Sequence, residues 1–209
     1  MPKPFQVIDD LEQAICEYTG APYAVTTNSC TMALLLAVKY HLNREHWNGW
    51  NPSLPGLISC PKRTYVSVPM SIINAGAMVC FRDEDWSGEY QLDPLPVWDS
   101  ARLFTSGMYR LGQMQCLSFH ATKTLGDTQG GAILLNDANA YEWLKRMRFD
   151  GRTQGVAPIN DNFREIGYHC YMSPDVAARL LHKISVLPYH NAPLPNDNYP
   201  DLSTLEIFK

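Results

Sequence analysis

Short apolar runs of strand length alternate with helical stretches along most of this chain, and that alternation leaves few folds open. The strand-like runs are Leu57 to Cys60, Met78 to Phe81, Pro96 to Trp98, Cys116 to Phe119 and Ala132 to Leu135. Asp9 to Tyr18 predicts a helix capped by Asp9 or Asp10, with Leu11, Ile15 and Tyr18 on one face and Gly20 as its stop. Thr31 to Leu42 predicts a second helix, apolar nearly all round and therefore buried. Ser67 to Asn74 reads as a helix with Pro69 in its first turn, and Ala138 to Arg148 as another after the Asn136-Asp137 turn. Ser173 to Ile184 has Ser173 as cap, Pro174 at the first helical position and Asp175 in the first turn. Strands and helices in this order predict an α/β fold with a mostly parallel sheet. His46 to Pro55 reads as a loop, and Ser185 onward, rich in Pro and Asn, as an irregular tail. The chain therefore divides into a compact α/β domain over residues 1–184 and a tail over 185–209.

With 209 residues, 45% of them hydrophobic, the chain can bury one sizeable core. Its net charge of −4 gives no electrostatic ground for nonspecific binding to nucleic acid or an acidic membrane. Cys16, Cys30, Cys60, Cys80, Cys116 and Cys170 form no C-x-x-C pair and no zinc spacing, so reduced thiols are expected. Met1-Pro2-Lys3-Pro4-Phe5 has no signal-peptide core, and no apolar run has the length of a membrane span. A cytoplasmic location is the expectation.

Three segments can carry chemistry. Thr27-Asn28-Ser29-Cys30-Thr31 opens an apolar helix, whose first amides lack internal partners and favour an anion; the same run also suits a simple helix cap. Asp99 ends a strand, where open α/β sheets place their ligands, and would equally serve as a turn residue. Ser118-Phe119-His120-Ala121-Thr122-Lys123, followed by Gly126 and Gly130-Gly131, suggests a lysine turned into a cleft. A desolvated lysine attacks carbonyls; a solvated surface lysine is the alternative.

In their order, these segments resemble the DegT/DnrJ/EryC1/StrS family of aminotransferases that use pyridoxal 5'-phosphate (PLP), from about Phe5 to Ile184. Thr26 to Leu34 is similar to the family's phosphate-binding turn, and Pro61 to Ala77 to its P-x-x-T-[FWY]-x-[AS]-T segment with the later N-A and A-G-A. Val97 to Ala101 resembles [IV]-x-D-[AS]-A, Cys116 to Leu125 resembles C-x-S-F-x-x-T-K-N-L, and Gly167-Tyr168-His169 with Met172-Ser173 resembles G-Y-N-x-R-M-S. The resemblance implies a type I-like PLP-dependent transferase domain, three-layered and truncated. It also implies roles: Lys123 carries the internal aldimine and shuttles a proton, and Asp99 pairs with the pyridinium nitrogen. Tyr65 stacks on the ring. Cys30 through its amide, Thr31 and Ser118 hold the phosphate, with Ser29 a weaker candidate. A small-molecule amino donor, a keto substrate (typically a nucleotide-linked sugar) and a homodimer with shared sites follow from the same likeness.

The departures bear on the reaction. Gln91 to Pro96 jumps across a helix and strand that the family carries between Tyr90 and Asp99. Arg102 stands where the family usually has Gln or His beside the cofactor, and His169 replaces the Asn offered to a neighbouring subunit's site. Against the same family pattern, most of the C-terminal small domain is expected to be missing. Besides amino transfer, two readings therefore stay open: another PLP reaction, such as decarboxylation or elimination on a bulky substrate like a modified nucleic acid, or a non-catalytic paralogue.

Overall fold

A computed structural model describes residues 5–43, 56–196 and 198–209. The loop expected at His46 to Pro55, with Trp47 and Trp50, lies outside the described residues. The elements run α1 (Gln6–Thr19), β1 (Tyr23–Thr27), α2 (Cys30–Leu42), β2 (Leu57–Pro61), α3 (Ser67–Ala75), β3 (Met78–Arg82), β4 (Tyr90–Gln91), β5 (Val97–Asp99), β6 (Met114–Ser118), β7 (Gly131–Leu135), α4 (Ala138–Met147) and α5 (Pro174–Ile184). Five strands form one sheet in the order β1-β7-β6-β5-β4, and β2 pairs with β3.

Strand direction follows from the pairings. β5 and β6 are parallel, as are β2 and β3, while β7 is antiparallel to both its neighbours and β4 to β5. Ser59 bridges antiparallel to Asp93, just past β4, which turns β2 and β3 the same way as β5. Five of the seven strands thus share a direction, with β4 and β7 reversed.

Alternation along the strands gives the sheet two apolar faces. Val25, Val97, Cys116, Ile133 and Leu135 pack with α2, α3 and α4 on one side. Ala24, Leu117, Ala132 and Leu134 pack with α1 and α5 on the other. The result is three layers. α2 lies centrally on its face, which explains why it is apolar almost all round.

Local corrections have local causes. α1 starts at Gln6, not after an aspartate cap; Phe5 precedes it and packs edge-on to Phe149 and Tyr171, leaving Asp9 in the first turn. Gly20 ends it in the left-handed conformation, with its amide on the Cys16 carbonyl. Ser173 precedes α5 as expected, but its hydroxyl donates to Asp175 at 2.5 Å rather than accepting from a helix amide. Of the six thiols, none paired, Cys60, Cys116 and Cys170 are buried, Cys16 and Cys30 half-buried and Cys80 exposed.

The segment from Ser185 is irregular apart from two 3₁₀ turns, Leu202–Thr204 and Glu206–Phe208, yet it is fastened along its length. The Tyr189 carbonyl accepts the Ser106 amide (2.9 Å), the Leu194 amide donates to Arg102 (2.8 Å), and the Leu202 amide donates to Lys62 (2.9 Å) with the Leu202 side chain buried. This strap passes Arg102, just beyond the carboxyl end of β5, and Trp86 and Gly88, just before the amino end of β4. Among the described residues no helix is long and apolar enough to cross a membrane, and no cluster of three or more His, Cys, Asp or Glu could hold a metal ion.

Candidate active site

The α2 end of the site is built by close backbone packing. Ser29 caps α2, its hydroxyl accepting the Met32 amide at 3.2 Å, and the Thr27 hydroxyl donates to the Ser29 carbonyl at 2.9 Å. Gly131 makes this possible: a Cβ there would lie 2.6 Å from the Cys30 nitrogen. The Thr31 and Ser67 hydroxyls are 2.8 Å apart, so the first turns of α2 and α3 are tied together. Burial pushes the Cys30 thiol well above its ordinary pKa, so Cys30 offers its backbone rather than a thiolate.

Asp99 closes the buried end of the site at the last residue of β5. One oxygen accepts the Tyr90 hydroxyl at 2.7 Å and the other the Ala101 amide at 3.0 Å. Burial raises the Asp99 carboxyl above its ordinary value, and the Tyr90 and Ala101 bonds, then the Lys123 and Arg102 charges, oppose that rise. The Arg102 guanidinium donates to the Pro195 carbonyl and, at 3.2 Å, to the Tyr199 hydroxyl, so the strap supplies one wall.

Lys123 sits in the turn that follows β6. Its amide donates to the His120 carbonyl at 2.8 Å, and the turn wraps so tightly over Gly126 that a Cβ there would be 2.8 Å from the Ala121 and Lys123 carbonyls. α5 anchors the turn from below: Lys183 donates to the Gly126 carbonyl (2.6 Å) and to Asp127 (2.8 Å), and Arg179 also reaches Asp127.

These parts enclose a cavity of about 430 Å³. Eight of the nine residues singled out from sequence line it: Ser29, Cys30, Thr31, Tyr65, Asp99, Arg102, Ser118 and Lys123. Tyr65 stands at the rim, 59% exposed. His169 is not on this cavity; it is exposed, with Nδ1 2.9 Å from Asp150.

A sequence profile of the DegT/DnrJ/EryC1/StrS aminotransferase family matches residues 5–99 and 106–192. The chain belongs to the DegT/DnrJ/EryC1/StrS family. No curated protein matches it significantly by sequence. Among solved structures, AtS13 from Actinomadura melliaura superposes with a TM-score of 0.75 at 18% identity, covering 87% of this chain and 60% of that one. PseC of Helicobacter pylori, an aminotransferase involved in the biosynthesis of pseudoaminic acid, gives 0.70 at 18% identity over 90% and 59%. DesI, solved in the presence of its TDP-sugar product, gives 0.64 at 21% over 88% and 53%. These likenesses fix the fold as that of the PLP-dependent type I transferases, and the chain spans about three-fifths of the first two relatives.

Sequence reasoning missed several cavity residues of this family member. Ser67 and Thr64 lie inside the segment that carries the family's Thr-aromatic pattern, and His120 inside the lysine block, so a signal was present for each. Trp86 and Tyr199 had none. Trp86 falls between elements, and Tyr199 reaches the cavity only because the strap folds back.

Proposed function

We propose that this chain binds PLP through Lys123 and transfers an amino group from a small-molecule donor to a keto substrate, with a nucleotide-linked keto-sugar as acceptor. What carries the reading is one cavity that gathers an amine, a buried carboxylate and a helix N-terminus backed by hydroxyls. That donor set matches the cofactor's aldehyde, ring nitrogen and phosphate, and the glycine at position 131 keeps a side chain off the first turn of α2 there. Bound PLP would supply the electron sink for the reacting carbon.

The protein groups have separate tasks. Lys123 would hold the cofactor at its aldehyde carbon, and its free amine would move a proton at the substrate carbon. Asp99 would hold a proton at the ring nitrogen, Tyr65 would cover the ring face, and Arg102 would add positive charge beside it. The Cys30 amide with the Thr31 and Ser118 hydroxyls receives the phosphate; Ser29, engaged as a cap, contributes less. The sugar acceptor is supported by the relatives PseC and DesI rather than by any contact in this chain. A homodimer belongs to the same proposal, with the exposed His169 offered to the partner subunit's phosphate.

Borohydride reduction of the PLP-loaded protein, followed by peptide mass spectrometry, is expected to place a phosphopyridoxyl mass on the Lys123 peptide. Lys145 and Lys183 are committed to Glu12 and Asp127. A mass on either of these, or on none, overturns the proposal.

A further inference from the structure

The carboxylate at the buried end of the cavity is held by a tyrosine that does not itself line the cavity. β4 is only two residues long, but its register sets Tyr90 directly across from Asp99. The Tyr90 hydroxyl donates to Asp99 at 2.7 Å and meets the Thr64 hydroxyl at 2.5 Å. All three side chains are buried, and Trp86 packs edge-on to the Tyr90 ring at 4.7 Å. Together with the Ala101 amide, this gives each carboxylate oxygen one fixed donor, which sets the rotation of the group.

We propose that Tyr90, backed by Thr64, is a positioning residue for Asp99, holding its carboxylate ionised and turned toward the cavity. The inference rests on the proposed pairing of Asp99 with the PLP ring nitrogen. Satisfying a buried tyrosine hydroxyl would need Thr64 alone; the second bond, to Asp99, acts on the carboxylate. Burial works against the charged form of Asp99, and the Tyr90 bond heads the influences that counter it. Tyr90 itself is pushed well above the ordinary tyrosine value, first by burial, and so remains a donor. The other groups facing Asp99 are Lys123 and Arg102, which favour its charge, and the thiols of Cys30, Cys60 and Cys116, which burial keeps protonated.

The test is the titration of Asp99, followed by carboxyl ¹³C NMR in the full chain with and without PLP. In Tyr90→Phe the ring packing is kept and only the donor is lost. The Asp99 midpoint is expected to rise above that of the wild type, and the turnover of the loaded protein to fall on the order of tenfold. The acid limb of its pH profile should move upward, with donor KM little changed. Thr64→Val is expected to move the midpoint the same way by less, and it decides the matter if Tyr90→Phe does not fold. An Asp99 midpoint that stays at the wild-type value in the folded variants overturns the inference. A shifted midpoint in a chain that does not take up PLP would keep Tyr90's role and remove the proposed function; PLP uptake with an unshifted midpoint does the reverse.

Discussion

Gly131 has no room for a methyl group, because the first turn of α2 already occupies that space. Gly131→Ala is expected to push Cys30 and Thr31 outward and weaken PLP binding on the order of 100-fold, the scale of an ångström-level misplacement. Fluorescence titration measures this, and circular dichroism checks that the helices persist. Asp99→Asn keeps the shape but not the charge, and should cost about 3 kcal/mol of transition-state stabilisation, read from kcat under saturating donor. Asp99 was legible because it ends a strand, and Lys123 because it sits in a polar turn after one, with glycines following. Glu12, Arg148 and Tyr90 were not. Each meets its partner across a large sequence separation or a two-residue strand, and neither leaves a periodic trace.

The helices show what such hidden pairs do. Glu12 of α1 accepts the Thr26 amide and hydroxyl at 2.8 Å, Lys145 of α4 at 2.8 Å, and Arg148, which is fully buried just after α4. One carboxylate thus pins α1, β1 and α4 together. Burial alone would raise Glu12, but the Arg148 and Lys145 charges, with the bonds from Lys145 and Thr26, hold it below its ordinary value. The unfolded chain therefore takes up a proton on Glu12 at a pH where the folded chain does not. This contribution is complete above the ordinary glutamate range and fades as pH falls through and below it. Glu12→Gln should destabilise the fold by about 3 kcal/mol near neutral pH, since Arg148 would stay buried without its charge partner. Urea denaturation across acid and neutral pH reads both the loss and a flatter acid slope. At this scale the sequence was most readable: α2, α3 and α5 and the five expected strands all formed within a few residues of their expected ends. β1 and β4 were missed: β4 because two residues carry no alternation to detect, and β1 because Ala24 to Thr27 are all buried and so show no alternation either.

Across the whole molecule the strap and the second subunit bear on the site. Replacing both Tyr199 and Leu202 by Ala should release the strap from Arg102 and Lys62, and PLP dissociation is expected to quicken on the order of tenfold as one wall opens. Stopped-flow trapping of released cofactor would record it, and an unchanged rate would show the wall to be dispensable. For the proposed dimer, mixing Lys123→Ala with His169→Ala subunits should restore one intact site per mixed pair; mixtures that stay inactive argue against a shared site. A strap of Pro and Asn reads as tail because its fastenings are hydrogen bonds to distant carbonyls and amides, which composition does not encode. Its position in the chain also has a bearing on synthesis. Lys123, Asp99 and the α2 turn emerge from the ribosome well before Pro195 and Tyr199, so a nascent chain holds every other part of the pocket while Arg102 still lacks its fastening. Completion of the cavity therefore waits on synthesis of the strap rather than on the folding of the sheet.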